Sequence, residues 1–241
     1  MTTKRNPPWA VDGVLLDVDG TLVASNDAHA RAWAEALAEY SHPVPVERIR
    51  PLIGMGGDKL LAKVAGITAD SPEGQAIQQR RLQIFTSRYL PHLAPCRGAR
   101  ALLERMRSDG LRLVVASSAK QSELRPLLER AQVADLIEAA TSSDDAERSK
   151  PDPDIVRAAL QRIGLPADGV ILIGDTPYDV EAAARCGVAC IALRCGGWDD
   201  ASLSGAVAIY DDPMDLLEHY DQSPLAAGAV RGQRRHDAHV S

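Results

Sequence analysis

The apolar run Val14-Leu15-Leu16 stops abruptly at the acidic stretch Asp17-Val18-Asp19-Gly20-Thr21. A short apolar run that ends in a glycine-containing polar loop is typical of a buried strand in a parallel sheet. Helical patterns separate this run from later ones, and further strands are predicted at 113–116, 136–137, 170–173 and 188–193. This alternation predicts an α/β fold: a Rossmann-like parallel sheet flanked by helices.

Residues 24–95 have a different pattern, with helical spacing and no convincing strand. Ala30, Trp33 and Leu37 share one face of a helix that Asn26 or Asp27 could cap. We therefore predict an all-helical domain inserted after the first strand, with the α/β core formed by residues 12–23 and 96–222. The polar, aperiodic residues 223–241 are predicted to form a disordered tail.

Polar side chains follow several of the predicted strands at the point where each strand ends. Asp17 and Asp19 follow the first strand, Ser117 and Ser118 the second, and Asp175 the fourth. A loop between the third and fourth strands carries Lys150. Ligands of open parallel sheets bind outside the carboxyl ends of the strands, so we expect these separate clusters to meet in one crevice.

The gathered residue types indicate phosphoryl-transfer chemistry. Neighbouring carboxylates repel one another, and a hard divalent cation such as Mg²⁺ would neutralise them through oxygen ligands. Lys150 would add a second positive charge; it is one of only five lysines beside 22 arginines. With the Ser117 hydroxyl, these are the parts that hold a transferring phosphoryl group. If the strand persists, Asp17 and Asp19 point to the same side, so one could attack phosphorus while the other handles a proton.

Four ordered motifs resemble those of the haloacid dehalogenase-like superfamily. They are Asp17-Val18-Asp19-Gly20-Thr21-Leu22, Ser117, Lys150 and Gly174-Asp175-Thr176-Pro177-Tyr178-Asp179. The resemblance covers roughly residues 12–220 and is greatest to the subfamily of phosphoglycolate phosphatases and β-phosphoglucomutases. The helical stretch 24–95 is similar to that family's type-1 cap, which would close over the core and set substrate choice.

The resemblance implies a role for each matching residue. Asp17 would be the nucleophile that becomes an aspartyl phosphate, and Asp19 would protonate the leaving group and then activate water. Ser117 would hydrogen-bond the phosphate, while Lys150 would orient and neutralise it.

The resemblance also implies a magnesium site and a substrate-binding set. Asp175 would bind Mg²⁺ together with Asp17 and the backbone carbonyl of Asp19. Asp179 would either bind the metal directly or contact the residues that bind it. The residues expected to contact substrate are Ser118, Gly20, Thr21 and His29. His29 has two further interpretations, as a residue that orients Asp19 or as a purely structural histidine.

Within the superfamily, Asp19 favours phosphate ester chemistry. Dehalogenases lack the second aspartate because a halide leaves without a proton, and a phosphonate hydrolase would need Lys59 or Lys63 as a Schiff-base amine. A β-phosphoglucomutase-like mutase is the main alternative, since the helix with His29 resembles its first cap helix, but residues 54–58 lack the arginine that grips a second phosphate. We therefore predict a Mg²⁺-dependent phosphatase for a small phosphorylated metabolite such as phosphoglycolate or a sugar phosphate.

A receiver-like phosphorylated switch is a non-enzymatic alternative, although such a module is about half this length and places its aspartate on a later strand. Arg80 and Arg81 could meet a substrate anion, but a solvated helix face is the preferred interpretation.

Composition limits the partners and the compartment. A net charge of −6 argues against a nucleic-acid partner, and no run of about 18 apolar residues indicates a membrane span. The four cysteines form no CxxC pair, which favours free thiols in a reduced, cytoplasmic protein. A monomer or homodimer is expected.

Overall fold

The computed structural model describes residues 11–226. Its core is a six-stranded sheet with the order β3-β2-β1-β4-β5-β6, and every neighbouring pair is parallel. The strands are β1 (Gly13–Leu16), β2 (Arg112–Ala116), β3 (Ala139–Thr141), β4 (Val170–Gly174), β5 (Ala189–Leu193) and β6 (Ala208–Tyr210). The predicted α/β, Rossmann-like fold is therefore confirmed.

The central strands are buried on both faces, which explains their continuous apolar sequences. Leu15, Val114 and Leu172 face one layer of helices, whereas neighbouring residues such as Leu16 and Val115 belong to the core on the other side. Strand side chains alternate between faces, so apolar residues are needed at every position of a strand that is covered twice.

Two edge strands differ from the sequence prediction. Leu136 lies in a turn, where its N–H bonds to the carbonyl of Val133, and the third strand begins only at Ala139. The apolar pair 136–137 was therefore wrongly assigned as a strand. The sixth strand, Ala208–Tyr210, was not predicted, because it is short and only partly buried.

The helices of the core are short and cover both faces of the sheet. They are α5 (Ala99–Ser108), α6 (Gln121–Arg130), α7 (Asp154–Ile163), α8 (Pro177–Arg185) and α9 (Pro213–Glu218). The predicted tail begins too early, since Ser223 and Leu225 are fully buried. Residues 227–241, on which the rest of that prediction falls, lie outside the described residues.

Between β1 and α5, residues 24–95 form four further α-helices, and we call this segment the helical insertion. They are α1 (Asn26–Glu39), α2 (Val46–Ile49), α3 (Gly57–Ala65) and α4 (Pro72–Ile84). Ser25, not Asn26 or Asp27, occupies the N-cap position of α1 and makes no side-chain capping bond, so that capping prediction was wrong. Within residues 11–226 no helix has both the length and the apolar character needed to cross a membrane.

Candidate active site

The topology brings two predicted acidic residues side by side. Strands β1 and β4 are neighbours, and Leu16 pairs with Ile173 in the parallel register. Asp17 follows β1 directly, while Asp175 follows Gly174, the last residue of β4. The strand order reverses its direction at this point, which is where ligands of doubly wound sheets bind.

Lys150 joins the two sides of this crevice. Its Nζ donates to Asp17 Oδ1 at 2.6 Å and to Asp179 Oδ1 at 2.7 Å, and its side chain is only 1% exposed. Burial by itself would lower the pKa of Lys150, but the charges of Asp17 and Asp179 raise it above its ordinary value. Lys150 is therefore a permanent positive charge beside the predicted nucleophile.

Asp17, Asp175 and Asp179 form a buried carboxylate cluster whose ligand oxygens all lie within 4.8 Å of one another. Burial, with the charge of Asp179, raises the pKa of Asp17 to about 7 despite the opposing effect of Lys150. Burial and the charges of Asp17 and Asp179 also raise the pKa of Asp175 well above its ordinary value. One lysine does not neutralise the cluster, and such an oxygen-only donor set suits a hard cation such as Mg²⁺.

Residues near the first strand hold Asp175 in place. Thr21 Oγ1 donates to its Oδ1 at 3.0 Å, and Asn26 Nδ2 donates to its Oδ2 at 2.7 Å. Gly20 has a positive φ of 78°, and a Cβ atom there would lie 2.2 Å from Asp175 Oδ2. Gly20 and Thr21, predicted to contact substrate, are thus placed against a carboxylate of the cluster, and the hydroxyl of Thr21 is already engaged.

Asp179 has two structural tasks. One oxygen receives Lys150, while the other accepts hydrogen bonds from the N–H and hydroxyl of Thr176 and so caps α8. The sequence left open whether this residue served the metal or the helix N-terminus. Its position allows both.

Asp19 lies apart from the carboxylate cluster in a different environment. Its Oδ1 accepts a hydrogen bond from Ser25 and lies 2.8 Å from His29 Nε2. Burial opposes ionisation, but His29, Ser25 and Arg81 together lower the pKa of Asp19 below its ordinary value. His29 stacks on Phe85 with ring centroids 3.9 Å apart, so its ring is fixed while it contacts Asp19.

The two serines after β2 differ in their surroundings. Ser117 is buried, and its Oγ accepts the N–H of Ala119 at 3.0 Å. The Oγ of Ser118 is also buried but has no partner among residues 11–226. Ser118 lines a cavity of about 50 Å³ together with Asp17, Asp19 and His29. The cavity therefore joins the predicted nucleophile, proton carrier and one serine.

The helical insertion forms the other wall of this cavity. Arg81 of α4 lines it and donates to Glu123 of α6, with its guanidinium 5.1 Å from the ring centre of Trp33. The prediction of a solvated face was therefore wrong for Arg81, whose side chain is 13% exposed. It holds for Arg80, which pairs with Glu39 on the outside. Glu123 was missed because its position in the first turn of α6 indicates only a helix-end charge.

Polar contacts join the helical insertion to the core around the site. Lys59 Nζ donates to Asp152 Oδ2 at 2.7 Å and to the carbonyl of Ser149, next to Lys150. On the opposite side, Arg50 donates to the carbonyl of Gly196 at 2.8 Å. Lys59 thus serves as a bridge here and not as a free amine in the cavity.

Replacing Lys59 with methionine should weaken the contact between the helical insertion and the core without unfolding the protein. The bridge is partly exposed, and such ion pairs contribute up to about 1 kcal/mol, so kcat/KM should fall by up to about fivefold. Steady-state kinetics and thermal melting would measure both effects. Lys63→Met, at an exposed position of the same helix, is the matched control. Equal effects of the two substitutions would show that the bridge has no role in closure.

Comparison with known proteins agrees with this geometry. The family model for haloacid dehalogenase-like hydrolases matches residues 14–193. A phosphoglycolate phosphatase of Rhodospirillum rubrum is 32% identical, with 84% of this chain and 88% of that protein aligned. An N-acetylmuramic acid 6-phosphate phosphatase of Pseudomonas aeruginosa is 30% identical, with 87% and 95% aligned.

A solved structure shows the same fold. It is the crystal structure of a hydrolase from Pseudomonas syringae, which has a TM-score of 0.81 and 32% identity. The alignment covers 87% of this chain and 98% of that one. The segment that the family model matches, residues 14–193, contains the buried carboxylates, Lys150 and the helical insertion. The chain therefore belongs to the haloacid dehalogenase-like hydrolase family and is an enzyme.

Proposed function

We propose that this enzyme is a Mg²⁺-dependent phosphatase that hydrolyses a small phosphate monoester through an aspartyl phosphate on Asp17. The observation that carries the proposal is the position of Lys150 Nζ, 2.6 Å from Asp17 and 2.7 Å from Asp179, beside the carboxylate of Asp175. A carboxylate held against a lysine and a cation-binding cluster is suited to attack a phosphoryl group.

The metal-binding residues in this proposal are Asp17, Asp175 and Asp179, with the backbone carbonyl of Asp19. Their fit rests on the oxygen-only donor set and on the excess of negative charge that Lys150 leaves in the cluster. When bound, Mg²⁺ would neutralise charge on the phosphoryl oxygens.

In the first step an oxygen of Asp17 attacks phosphorus, and the bond between phosphorus and the ester oxygen breaks. The departing alkoxide takes a proton from Asp19, which faces the same cavity. Because the pKa of Asp19 is lowered, the reacting form is the one in which the proton shared with His29 Nε2, at 2.8 Å, lies on Asp19. Lys150 balances the negative charge on the phosphoryl oxygens during this exchange. The products of the step are a free alcohol and a phosphorylated Asp17.

In the second step Asp19 acts as the base. It removes a proton from water, whose oxygen attacks phosphorus and releases inorganic phosphate, so that Asp17 is regenerated. We propose that the helical insertion, residues 24–95, is a cap domain that excludes other water during the transfer. Its contacts through Lys59 and Arg50 support a closed state.

Hydrolysis is favoured over a mutase reaction. A mutase must hold both phosphates of a bisphosphate, and the loop segment 54–58 of the insertion contains no arginine. Arg81, the arginine that lines the small cavity, is already paired with Glu123. The two relatives described above are also phosphatases.

The test is phosphate release from a panel of monoesters with Mg²⁺ and with EDTA. Multiple turnovers that EDTA abolishes and Mg²⁺ restores would support the proposal. β-Glucose 1-phosphate belongs in the panel, since conversion to glucose 6-phosphate would instead identify a mutase. A single phosphorylation without release would identify a phosphorylated switch.

The stabilising effect of Mg²⁺ should grow as pH rises. The pKa of Asp17 is raised from 3.8 to about 7 by burial, so the metal-free folded protein retains a proton that the unfolded chain has already lost. Without metal, stability therefore falls as pH rises through this interval. Mg²⁺ binds the deprotonated carboxylates. The rise in the protein's melting temperature on adding Mg²⁺ should therefore be larger near pH 8 than near pH 5. An equal rise in melting temperature at both pH values, or an unchanged rise in the Asp175→Asn variant, would contradict Mg²⁺ binding at the carboxylate cluster.

A further inference from the structure

The small cavity beside Asp17 continues outward between the helical insertion and the core. A second cavity of about 230 Å³ shares Gly56, Gly57, Arg81 and Ser118 with it. When the phosphoryl group of a monoester lies against Asp17, this second cavity is the adjoining space for its alcohol portion, and we call it the alcohol site. Its charges therefore bear on which alcohol the enzyme accepts.

The positive charge of Arg81 is already neutralised. Its guanidinium pairs with Glu123, whose side chain is 1% exposed, and lies over the ring of Trp33. If Arg81 turned away to bind a substrate anion, the Glu123 carboxylate would remain buried without its cation. Such a buried unpaired charge is strongly unfavourable, so the pair should persist when substrate binds.

The remaining lining of the alcohol site is more acidic than basic. Its charged residues are Asp58, Asp144, Glu147, Lys120 and Arg81. Since Glu123 offsets Arg81, Lys120 is the cation left to balance three carboxylates. Lys120 and the three carboxylates are all exposed, so water screens each of them alike and the excess of negative charge remains. An additional anion on the alcohol would thus enter a region that is already negative.

Hydrogen-bonding side chains are available in the same place, and they include one N–H of the Arg81 guanidinium, whose charge Glu123 offsets. Arg81 Nε and Ser118 Oγ are buried and have no partner within residues 11–226. Gln78 and Ser143 also line the alcohol site. A hydroxyl oxygen could accept from either unpartnered donor, and a hydroxyl proton could bind the surrounding carboxylates.

We propose that the alcohol site takes an uncharged, hydroxyl-bearing alcohol, as in a sugar or polyol phosphate, and disfavours esters with a second anionic group. This inference rests on the proposed phosphatase function. It separates this chain from an enzyme specific for phosphoglycolate, whose alcohol portion carries a carboxylate.

The test compares two esters of nearly equal size with the Mg²⁺-loaded enzyme. In 2-hydroxyethyl phosphate, a neutral CH₂OH replaces the carboxylate of 2-phosphoglycolate. The neutral ester should have a kcat/KM at least about tenfold higher, because the acidic lining of the alcohol site repels the carboxylate of phosphoglycolate. A preference for phosphoglycolate would overturn the inference while leaving the phosphatase proposal intact. No phosphate from either ester, nor from p-nitrophenyl phosphate, would overturn both.

Two variants test the residues named. Glu123→Gln removes the carboxylate that neutralises Arg81, so the ratio of kcat/KM values should move toward phosphoglycolate by about tenfold. The double variant Arg81→Gln/Glu123→Gln should move it back. An unchanged ratio in a folded Glu123→Gln protein would overturn the inference.

The exposed position of Lys120 provides a test that does not depend on the buried pair. Lys120→Met should change the ratio by less than about twofold, as expected for a screened surface charge. A tenfold or larger loss of phosphoglycolate hydrolysis alone would show that Lys120 binds the carboxylate, and the inference would fail.

Discussion

Replacing Asp17 with asparagine is expected to lower kcat by more than about 10⁴-fold, the scale seen when a covalent nucleophile is removed. Asparagine has nearly the same size, and its oxygen can still accept the hydrogen bond from Lys150 Nζ, which lies 2.6 Å from Asp17. The substitution therefore removes the attacking carboxylate while the surrounding contacts remain. Phosphate release with Mg²⁺ measures the effect, and circular dichroism establishes that the variant is folded.

Asp12→Asn is the matched control, because it makes the same chemical change at an exposed position just before β1. It should keep the activity of the parent enzyme. Rapid acid quenching with ³²P-labelled ester should label the parent protein but not Asp17→Asn. Parental turnover by Asp17→Asn, or labelling at the same level, would place the nucleophile elsewhere.

The meeting of Asp17 and Asp175 could be predicted because topology determines it, whereas Lys150 lies within a loop after β3 and was expected there from the ordered motifs. Residues directly after parallel strands lie at one edge of the sheet, whatever their separation in sequence. The apolar runs before Asp17 and Asp175 are buried and continuous, so their ends are sharp in the sequence. This part of the candidate site required only the correct fold class and strand ends.

The contacts across the two parts of the chain could not be predicted in this way. Arg81 and Glu123 lie on different helices, and only the docking of the helical insertion brings them together. Each has an adequate local explanation, a solvated helix face for Arg81 and a helix-end charge for Glu123. No periodicity or spacing reports such a pair, and the same is true of Lys59 and Asp152.

The local errors have a related cause. Asn26 has the right chemistry for a helix cap, but it lies inside the first turn, where its Nδ2 donates to the buried Asp175 Oδ2 and its Oδ1 caps no N–H within residues 11–226. The apolar pair Leu136 and Ile137 resembles a strand, but the chain there is still turning toward β3. In both cases tertiary contacts determine the conformation at a position where the local pattern permits several.

Replacing Asp19 with asparagine is expected to cost roughly 10²–10⁴-fold in turnover of alkyl phosphates, the range for loss of a general acid or base. Asparagine can neither donate the proton that an alkoxide needs nor take one from water. The hydrogen bond from Ser25 to Asp19 can persist to the amide oxygen. Because the side chain of Asp19 is outside the carboxylate cluster, the stabilisation by Mg²⁺ should be retained.

The choice of leaving group separates the two tasks of Asp19. p-Nitrophenolate departs without a proton, so Asp17 of the Asp19→Asn variant should still be phosphorylated quickly by p-nitrophenyl phosphate. Water attack should remain slow, since the base is missing. The variant should therefore give a burst of p-nitrophenolate equal to the enzyme concentration, followed by slow turnover. Equal losses for alkyl and nitrophenyl esters with no burst would show that the proton is carried by another group, with His29, at 2.8 Å from Asp19, as the next residue to change.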